Sequence, residues 1–175
     1  MEQVVLVDES DNEVGIMEKM EAHRRGLLHR AFSVLIFNSR GELLLQKRAD
    51  TKYHSAGLWT NTCCSHPQPG ESFQDAIKRK LLQEMGISVQ TEFVFKFLYN
   101  VKVDHDLIEH ELDHVFVGIH DGEPTINTRE AQDWKLADLP SLRNAIIQHP
   151  EQYTSWFKLI INHPQLSKVL VSPAC

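Results

Sequence analysis

The apolar positions of this chain fall into short runs separated by clusters of turn residues. Residues 4–7 (VVLV) predict a strand, residues 8–12 a turn, and residues 14–16 a second short strand. Residues 18–25 predict a short helix ended by Gly26. Residues 30–37 (RAFSVLIF) and 42–47 (ELLLQK) flank Asn38-Ser39-Arg40-Gly41, the pattern of a hairpin. Residues 49–71 carry no clear period and are expected to be loop, with Leu58 and Trp59 as candidates for burial. Ser72 is a good N-cap with Asp75 three residues on, and Phe73, Ile77, Leu81 and Met85 recur every four residues. A helix with one apolar stripe is therefore expected there, closed by Gly86. Residues 93–103 and 112–119 predict two long strands, with 105–110 between or extending them, and 131–136 predict another. Pro140 opens a helix to about Gln148, and residues 152–162 predict a last one; residues 165–175 are expected to be loosely ordered. The sum is one α/β domain over residues 1–175, a mixed central sheet flanked by helices.

Composition narrows the class. A chain of 175 residues is enough for one full core and short for two. Hydrophobic content of 42% and charge of 24% are those of a globular protein, which sets disorder aside. No apolar run approaches the ~20 residues that span a bilayer, and no basic segment precedes an apolar one at the N-terminus, so neither a membrane anchor nor a signal peptide is expected. The cysteines are Cys63, Cys64 and Cys175, an odd number with two adjacent, which fits a reduced, cytoplasmic setting. A net charge of -6 argues against non-specific nucleic-acid binding. Basic and acidic residues balance up to Lys80 and acidic ones dominate beyond it, so a small anionic ligand remains compatible with the first half. No long apolar heptad or exposed stripe stands out, and a monomer is expected.

The most informative stretch is GLWTNTCCSHPQPGESFQDAIKRKLLQEMGI, residues 57–87. It sets a thiol two residues before an imidazole, then a Pro/Gly loop, then a capped helix bearing acidic and basic groups. Its second half resembles a Nudix box, G-x5-E-x7-R-E-U-x-E-E-x-G-U with U apolar. Ser65 stands at the first Gly, Glu71 at the Glu, Arg79 at the Arg, and Glu84, Gly86 and Ile87 fill the tail. Lys80 and Gln83 replace two of the three helix carboxylates, so a hydrolytic magnesium cluster would be badly weakened. A Nudix-like scaffold with other chemistry is the better reading.

Imidazoles and carboxylates elsewhere could hold a borderline divalent metal: His23, His29, His66, Glu109 and Glu111. In an extended segment Glu109 and Glu111 face one side and His110 the other. On spacing alone a solvated charged strand edge accounts for them slightly better than a metal. Cys64 is equally a small buried hydrophobe were His66 not beside it, and Trp156 a core residue.

The whole set resembles the type I isopentenyl diphosphate isomerases, which have a modified Nudix fold. The matching pieces are EKMEAHRRGLLHRAFSVLIFN, LLLQKRADTKYHSAGLWTNTCCSHPQPGES, the altered box, FLYNVKVDHDLIEHELDHVF and the aromatics of YTSWF, together roughly residues 4–156. The T-N-x-x-C-x-H-P block with E-x-E and upstream histidines is a specific signature. The resemblance implies interconversion of isopentenyl and dimethylallyl diphosphate. It implies Cys64 and Glu111 as proton carriers, with Tyr99 beside Glu111. It implies His23, His29, His66, Glu109 and Glu111 as ligands of manganese, zinc or magnesium, and Glu84 as the holder of a magnesium ion that accompanies the substrate diphosphate. Lys19, Arg48, Lys52 and Lys80 would contact that diphosphate, and Trp156 would cover the hydrocarbon. The competing expectation is a Nudix hydrolase of a nucleoside or other diphosphate.

Overall fold

The computed structural model describes residues 2–171. In chain order its elements are β1 (Gln3–Val7), β2 (Glu13–Glu18), α1 (Lys19–Arg25), β3 (His29–Phe37), β4 (Leu43–Arg48), β5 (Trp59–Thr60), β6 (Cys63–Ser65), α2 (Phe73–Met85), β7 (Thr91–Lys102), β8 (Ile108–Ile119), β9 (Ala131–Ala137), α3 (Leu139–Gln148), α4 (Ser155–Ile161) and α5 (Pro164–Val171).

Strand β3 organises the sheet. It runs antiparallel to β1 and β6 and parallel to β8, and β8 pairs antiparallel with β7. The expected hairpin forms its turn, with Gly41 N–H donating to Asn38 C=O at 2.9 Å, but β3 and β4 share only the Phe37–Leu43 pair. They diverge because RAFSVLIF is apolar on both faces and fits a central strand covered on both sides. Beyond the turn β4 pairs with β9 and with β5.

Two faces of the sheet are covered separately. Phe32, Val34 and Ile36 of β3 pack with Ile77, Leu81 and Met85 of α2, the predicted apolar stripe. Leu35 and Phe37 face the other way, with Trp156, Phe157, Ile160 and Ile161 of α4 and Leu166 of α5. Ser72 caps α2 by accepting from Asp75 N–H at 3.1 Å, and Gly86 closes it at φ +66°. Arg79 donates twice to Glu71, both at 2.7 Å, and so ties the loop before α2 to its second turn.

Three expectations change. The stretch 49–71 is not all loop, since it contains β5 and β6, too short to show a period. The last predicted helix starts only at Ser155, because Pro150–Gln152 forms a 3-10 turn and Thr154 stays extended. Residues 165–171 are helical rather than loose, anchored by the buried Leu166; residues 172–175, with Cys175, lie outside the described residues.

Candidate active site

Strand register assembles the site. In the parallel β3–β8 pair His29 lies opposite Glu111, and in the antiparallel β7–β8 pair Tyr99 lies opposite Glu111 and Val101 opposite Glu109. In the β3–β6 pair Ser33 lies opposite Cys64. Directly opposed residues point to one face with their Cβ atoms about 4.5–5.5 Å apart. Parity also separates the two adjacent cysteines. Cys63 packs toward α2, and Cys64 packs on the other face, against the cluster that includes Tyr99 and Trp156.

One cavity gathers most of the residues singled out above. It is lined by Cys64, His66, Tyr99, Glu109, Glu111 and Trp156 together with Lys19, Arg48, Lys52, Lys80 and Glu84. His23 and His29 stand fully buried behind the carboxylates. Glu109 and Glu111 are only 4% and 6% exposed, so the solvated-edge account of E-x-E is wrong. It fails because β8 sits between β3 and β7 rather than at an edge. The expected alternation holds: His110 points away and its Nδ1 lies 2.9 Å from Gly26 C=O.

The histidines arrive from α1, β3 and the segment after β6. Gly26 ends α1 at φ +61°, a conformation that favours glycine, and a Cβ there would lie 3.1 Å from Ile108. That turn lets the chain reverse and bring His23 and His29 together, with ring centroids 4.8 Å apart. His23 Nδ1 lies 2.7 Å from Lys19 C=O and His29 Nδ1 2.8 Å from Leu27 C=O, which turns both Nε2 atoms inward. Neither Nε2 makes a well-formed hydrogen bond, nor does His66 Nδ1, although all three are buried; His29 Nε2 lies 3.4 Å from Glu111 Oε1. Unsatisfied buried nitrogens of this kind are costly unless something binds them. His23, His29, His66 and Glu111 each offer a donor atom within 4.8 Å of the others, and this group could hold a metal ion. Glu109 joins a different group, with His23 and His54.

His54 escaped the sequence reading. It lies in the irregular stretch after β4, with no partner at helical or strand spacing. Only the number of histidines in the chain pointed toward it. Arg48 fixes it by donating to His54 C=O at 3.0 Å and Ser55 C=O at 3.2 Å. The same guanidinium lies 5.3 Å from the centroid of the Trp156 ring.

Burial and charge set the protonation states. Burial pushes the Cys64 thiol up to about 12. Burial also raises Glu111, but contacts from His29 and His66 outweigh it and hold the carboxyl well below its usual range. Burial and the neighbouring Glu111 push Glu109 well up. Tyr99 is raised by burial and by the two carboxylates, so it stays a phenol and donates to Glu111. Burial depresses His66 to about 3, His54 to about 3 and His23 to about 4, and these three stand neutral as ligands require. The cavity thus holds a protonated sulfur and an ionised carboxylate.

Each lysine of the cavity lining has a carboxylate partner. Lys19 Nζ is 3.1 Å from Glu2, Lys80 Nζ is 2.9 Å from Glu84, and Lys52 pairs with Glu130. Gln46 also donates to Glu84, at 3.0 Å.

Known proteins match this chain closely. The NUDIX domain family matches residues 27–157. Isopentenyl-diphosphate Delta-isomerase 2 of Aromatoleum aromaticum is 53% identical over 89% of this chain and 82% of its own length. Isopentenyl-diphosphate Delta-isomerase 1 of the same organism is 52% identical, covering 92% of this chain and 91% of its own. The isopentenyl-diphosphate Delta-isomerase of Serratia proteamaculans is 49% identical over 91% and 89%. Among solved structures, DR0079 from Deinococcus radiodurans superposes with a TM-score of 0.74 at 18% identity, covering 91% of this chain and 97% of that one. The MutT protein from Methanosarcina mazei follows the same fold, with a TM-score of 0.66 at 18% identity over 81% and 95%.

Proposed function

Because the chain belongs to the isopentenyl-diphosphate Delta-isomerase family of NUDIX-domain proteins, we propose that it interconverts isopentenyl and dimethylallyl diphosphate. The reaction adds a proton at one end of a three-carbon unit and removes one from the other end. An unactivated alkene is a poor base, so two proton carriers must be held against it and water must be kept out. Cys64 and Glu111 are those carriers. They line one buried cavity and differ in protonation state, the single observation that carries the assignment.

Tyr99 holds the phenol proton on Glu111 at 2.5 Å and fixes that carboxylate's orientation. Trp156 presents an indole to the same cavity, and a desolvated aromatic face stabilises a cation by about 2 kcal/mol. Lys19, Arg48, Lys52 and Lys80 bind the diphosphate, and Glu84 would hold a magnesium ion there. His23, His29, His66, Glu109 and Glu111 would hold a further divalent ion, manganese, zinc or magnesium. When bound, that ion supplies positive charge that acidifies and orients Glu111. The inward-turned, unpartnered histidine nitrogens fit such an ion.

No helix among the described residues is long and apolar enough to cross a membrane. The working unit proposed is a cytoplasmic monomer acting on a small isoprenoid diphosphate, without nucleic acid or membrane. The test is conversion of isopentenyl to dimethylallyl diphosphate, with and without chelator. Turnover that the chelator abolishes is expected. Phosphate or pyrophosphate release from a nucleotide panel, in place of isomerisation, would mean that the scaffold is a hydrolase after all.

A further inference from the structure

The segment joining β5 to β6 carries a buried polar network. Thr60, Asn61 and Thr154 are each 0% exposed. The Asn61 amide uses all of its hydrogen-bonding capacity. Its Nδ2 donates to Cys63 C=O at 2.7 Å and to Val34 C=O at 3.2 Å, while its Oδ1 accepts from Thr60 Oγ1 at 2.9 Å and from Trp156 Nε1 at 3.3 Å. Turning the amide over would set donors against donors, so its orientation is fixed. One end of this amide therefore holds the indole of Trp156, and the other holds the peptide from which Cys64 extends.

The helix that bears Trp156 gives up a local hydrogen bond to join this network. Thr154 is the N-cap of α4, a position where a threonine hydroxyl ordinarily accepts from a backbone N–H of the first turn. Here the side chain makes no cap bond, and its Oγ1 lies 3.0 Å from Thr60 Oγ1. The Thr60 proton is committed to Asn61, so Thr154 is the donor of that pair. The backbone adds to the attachment: Thr154 N–H donates to Trp59 C=O at 3.0 Å, and Trp59 and Tyr153 form a parallel bridge. A local rule broken for a long-range contact is the pattern expected where function sets the geometry.

We propose that Asn61 is a positioning residue for the isomerisation, setting the tilt of the Trp156 indole relative to the Cys64 thiol. Both of those groups line the cavity. An aromatic ring stabilises a cation when the charge sits over its face, within about 6 Å of the centroid. A hydrogen bond at the ring edge fixes the tilt of that face and satisfies the buried indole N–H. A displacement of about 1 Å at a reacting group costs about 100-fold in rate. One amide bonded to both elements keeps the proton carrier and the cation platform in a single geometry. Asn61 makes no side-chain hydrogen bond to Lys19, Arg48, Lys52 or Lys80, so its work is separate from headgroup binding. This inference rests on the isomerase reading made under the proposed function.

The test compares kcat and KM for isopentenyl diphosphate in the full-length wild type, Asn61→Ala and Thr60→Val. It also follows the indole 1H–15N NMR signal of Trp156, assigned by its loss in Trp156→Phe. In Asn61→Ala kcat should fall about 100-fold while KM stays within about threefold of the wild type, and the indole signal should move upfield. Thr60 bonds to neither Trp156 nor Cys64 through its side chain and acts on them only by way of Asn61 and Thr154. Thr60→Val keeps the shape and removes one hydrogen bond, so kcat should fall roughly 2- to 10-fold, again with KM little changed and the indole signal displaced. A lower melting temperature with full kcat in either folded variant would mark a purely structural amide and overturn the inference, leaving the isomerase reading intact. Absence of isomerisation in the wild type would overturn both. Thr60→Val decides the matter even if Asn61→Ala fails to fold.

Discussion

Tyr99 Oη lies 2.5 Å from Glu111 Oε2 and 3.4 Å from Glu109 Oε2, so one phenol bridges the two carboxylates of the E-x-E motif. The bridge follows from register, since Tyr99 and Glu111 are direct partners across β7 and β8. Its proton favours the charged form of Glu111. A hydrogen bond to a charged group contributes about 1.5–3 kcal/mol, or roughly 10- to 100-fold in rate if it acts on the reacting state. Tyr99→Phe should lower kcat by that factor while Mn2+ affinity changes much less. Undiminished kcat in a folded Tyr99→Phe protein would remove the phenol from the chemistry.

Cys64 should be a sluggish nucleophile in free solution. Burial raises its thiol to about 12, far above the ordinary cysteine, so the thiolate fraction at neutral pH is tiny. Alkylation by iodoacetamide, followed at the Cys64 peptide, should accelerate about tenfold per pH unit up to about pH 10 without a plateau. A plateau near neutrality would show that the thiol is instead poised as a thiolate.

Metal-free protein should lose stability on mild acidification. Burial depresses His23 to about 4 and His54 and His66 to about 3, below the ordinary 6.5. Below about pH 6.5 the unfolded chain binds protons at these sites that the folded one refuses, so unfolding becomes easier as pH falls toward 3–4. His29 moves the other way, since Glu111 raises it against burial, and so do Glu109 and Asp113, whose carboxyls burial and Glu111 push well up; these three offset part of the loss. Urea midpoints in chelator should therefore fall between pH 7.5 and 5, and added Mn2+ should raise the midpoint more at the higher pH. A midpoint that rises on acidification in chelator contradicts neutral buried imidazoles.

The sequence made some of this legible and hid the rest, for physical reasons. The stripe of α2, its Ser72 and Gly86 caps and the Arg79–Glu71 tie are local, within a few turns, and could be read directly. Alternation along β8 put Glu109 and Glu111 on one side, yet not whether that side was wet. Burial depends on β3 and β7 flanking β8, which spacing along one strand does not encode. The parallel β3–β8 pairing, which sets His29 against Glu111, joins residues about eighty positions apart and leaves no local trace. The motif resemblance supplied that long-range information for the five expected ligands. It could not supply His54, which stands outside the motif in an irregular segment held by Arg48 and Asp104.

The Lys52–Glu130 pair bears on how the headgroup enters. Glu130 accepts from Gln83 Nε2 at 3.1 Å, and its turn is tied to α2 by Asn127 N–H donating to Glu84 C=O at 2.9 Å. Its carboxyl is held low by Lys52, against burial, and Lys80 and Lys19 add to the effect. The carboxylate thus faces the lysines assigned to the diphosphate, and an incoming headgroup must displace it from Lys52. Glu130→Gln keeps the shape and the acceptor for Gln83 but removes the charge. A partly exposed pair of this kind is worth at most about 1 kcal/mol, so inorganic pyrophosphate should bind roughly 3- to 5-fold more tightly to the variant by calorimetry without magnesium. Lys52→Ala serves as the control and should weaken binding. If Lys52→Ala weakens binding and Glu130→Gln weakens it too, Glu130 acts with the headgroup instead of competing for its lysine.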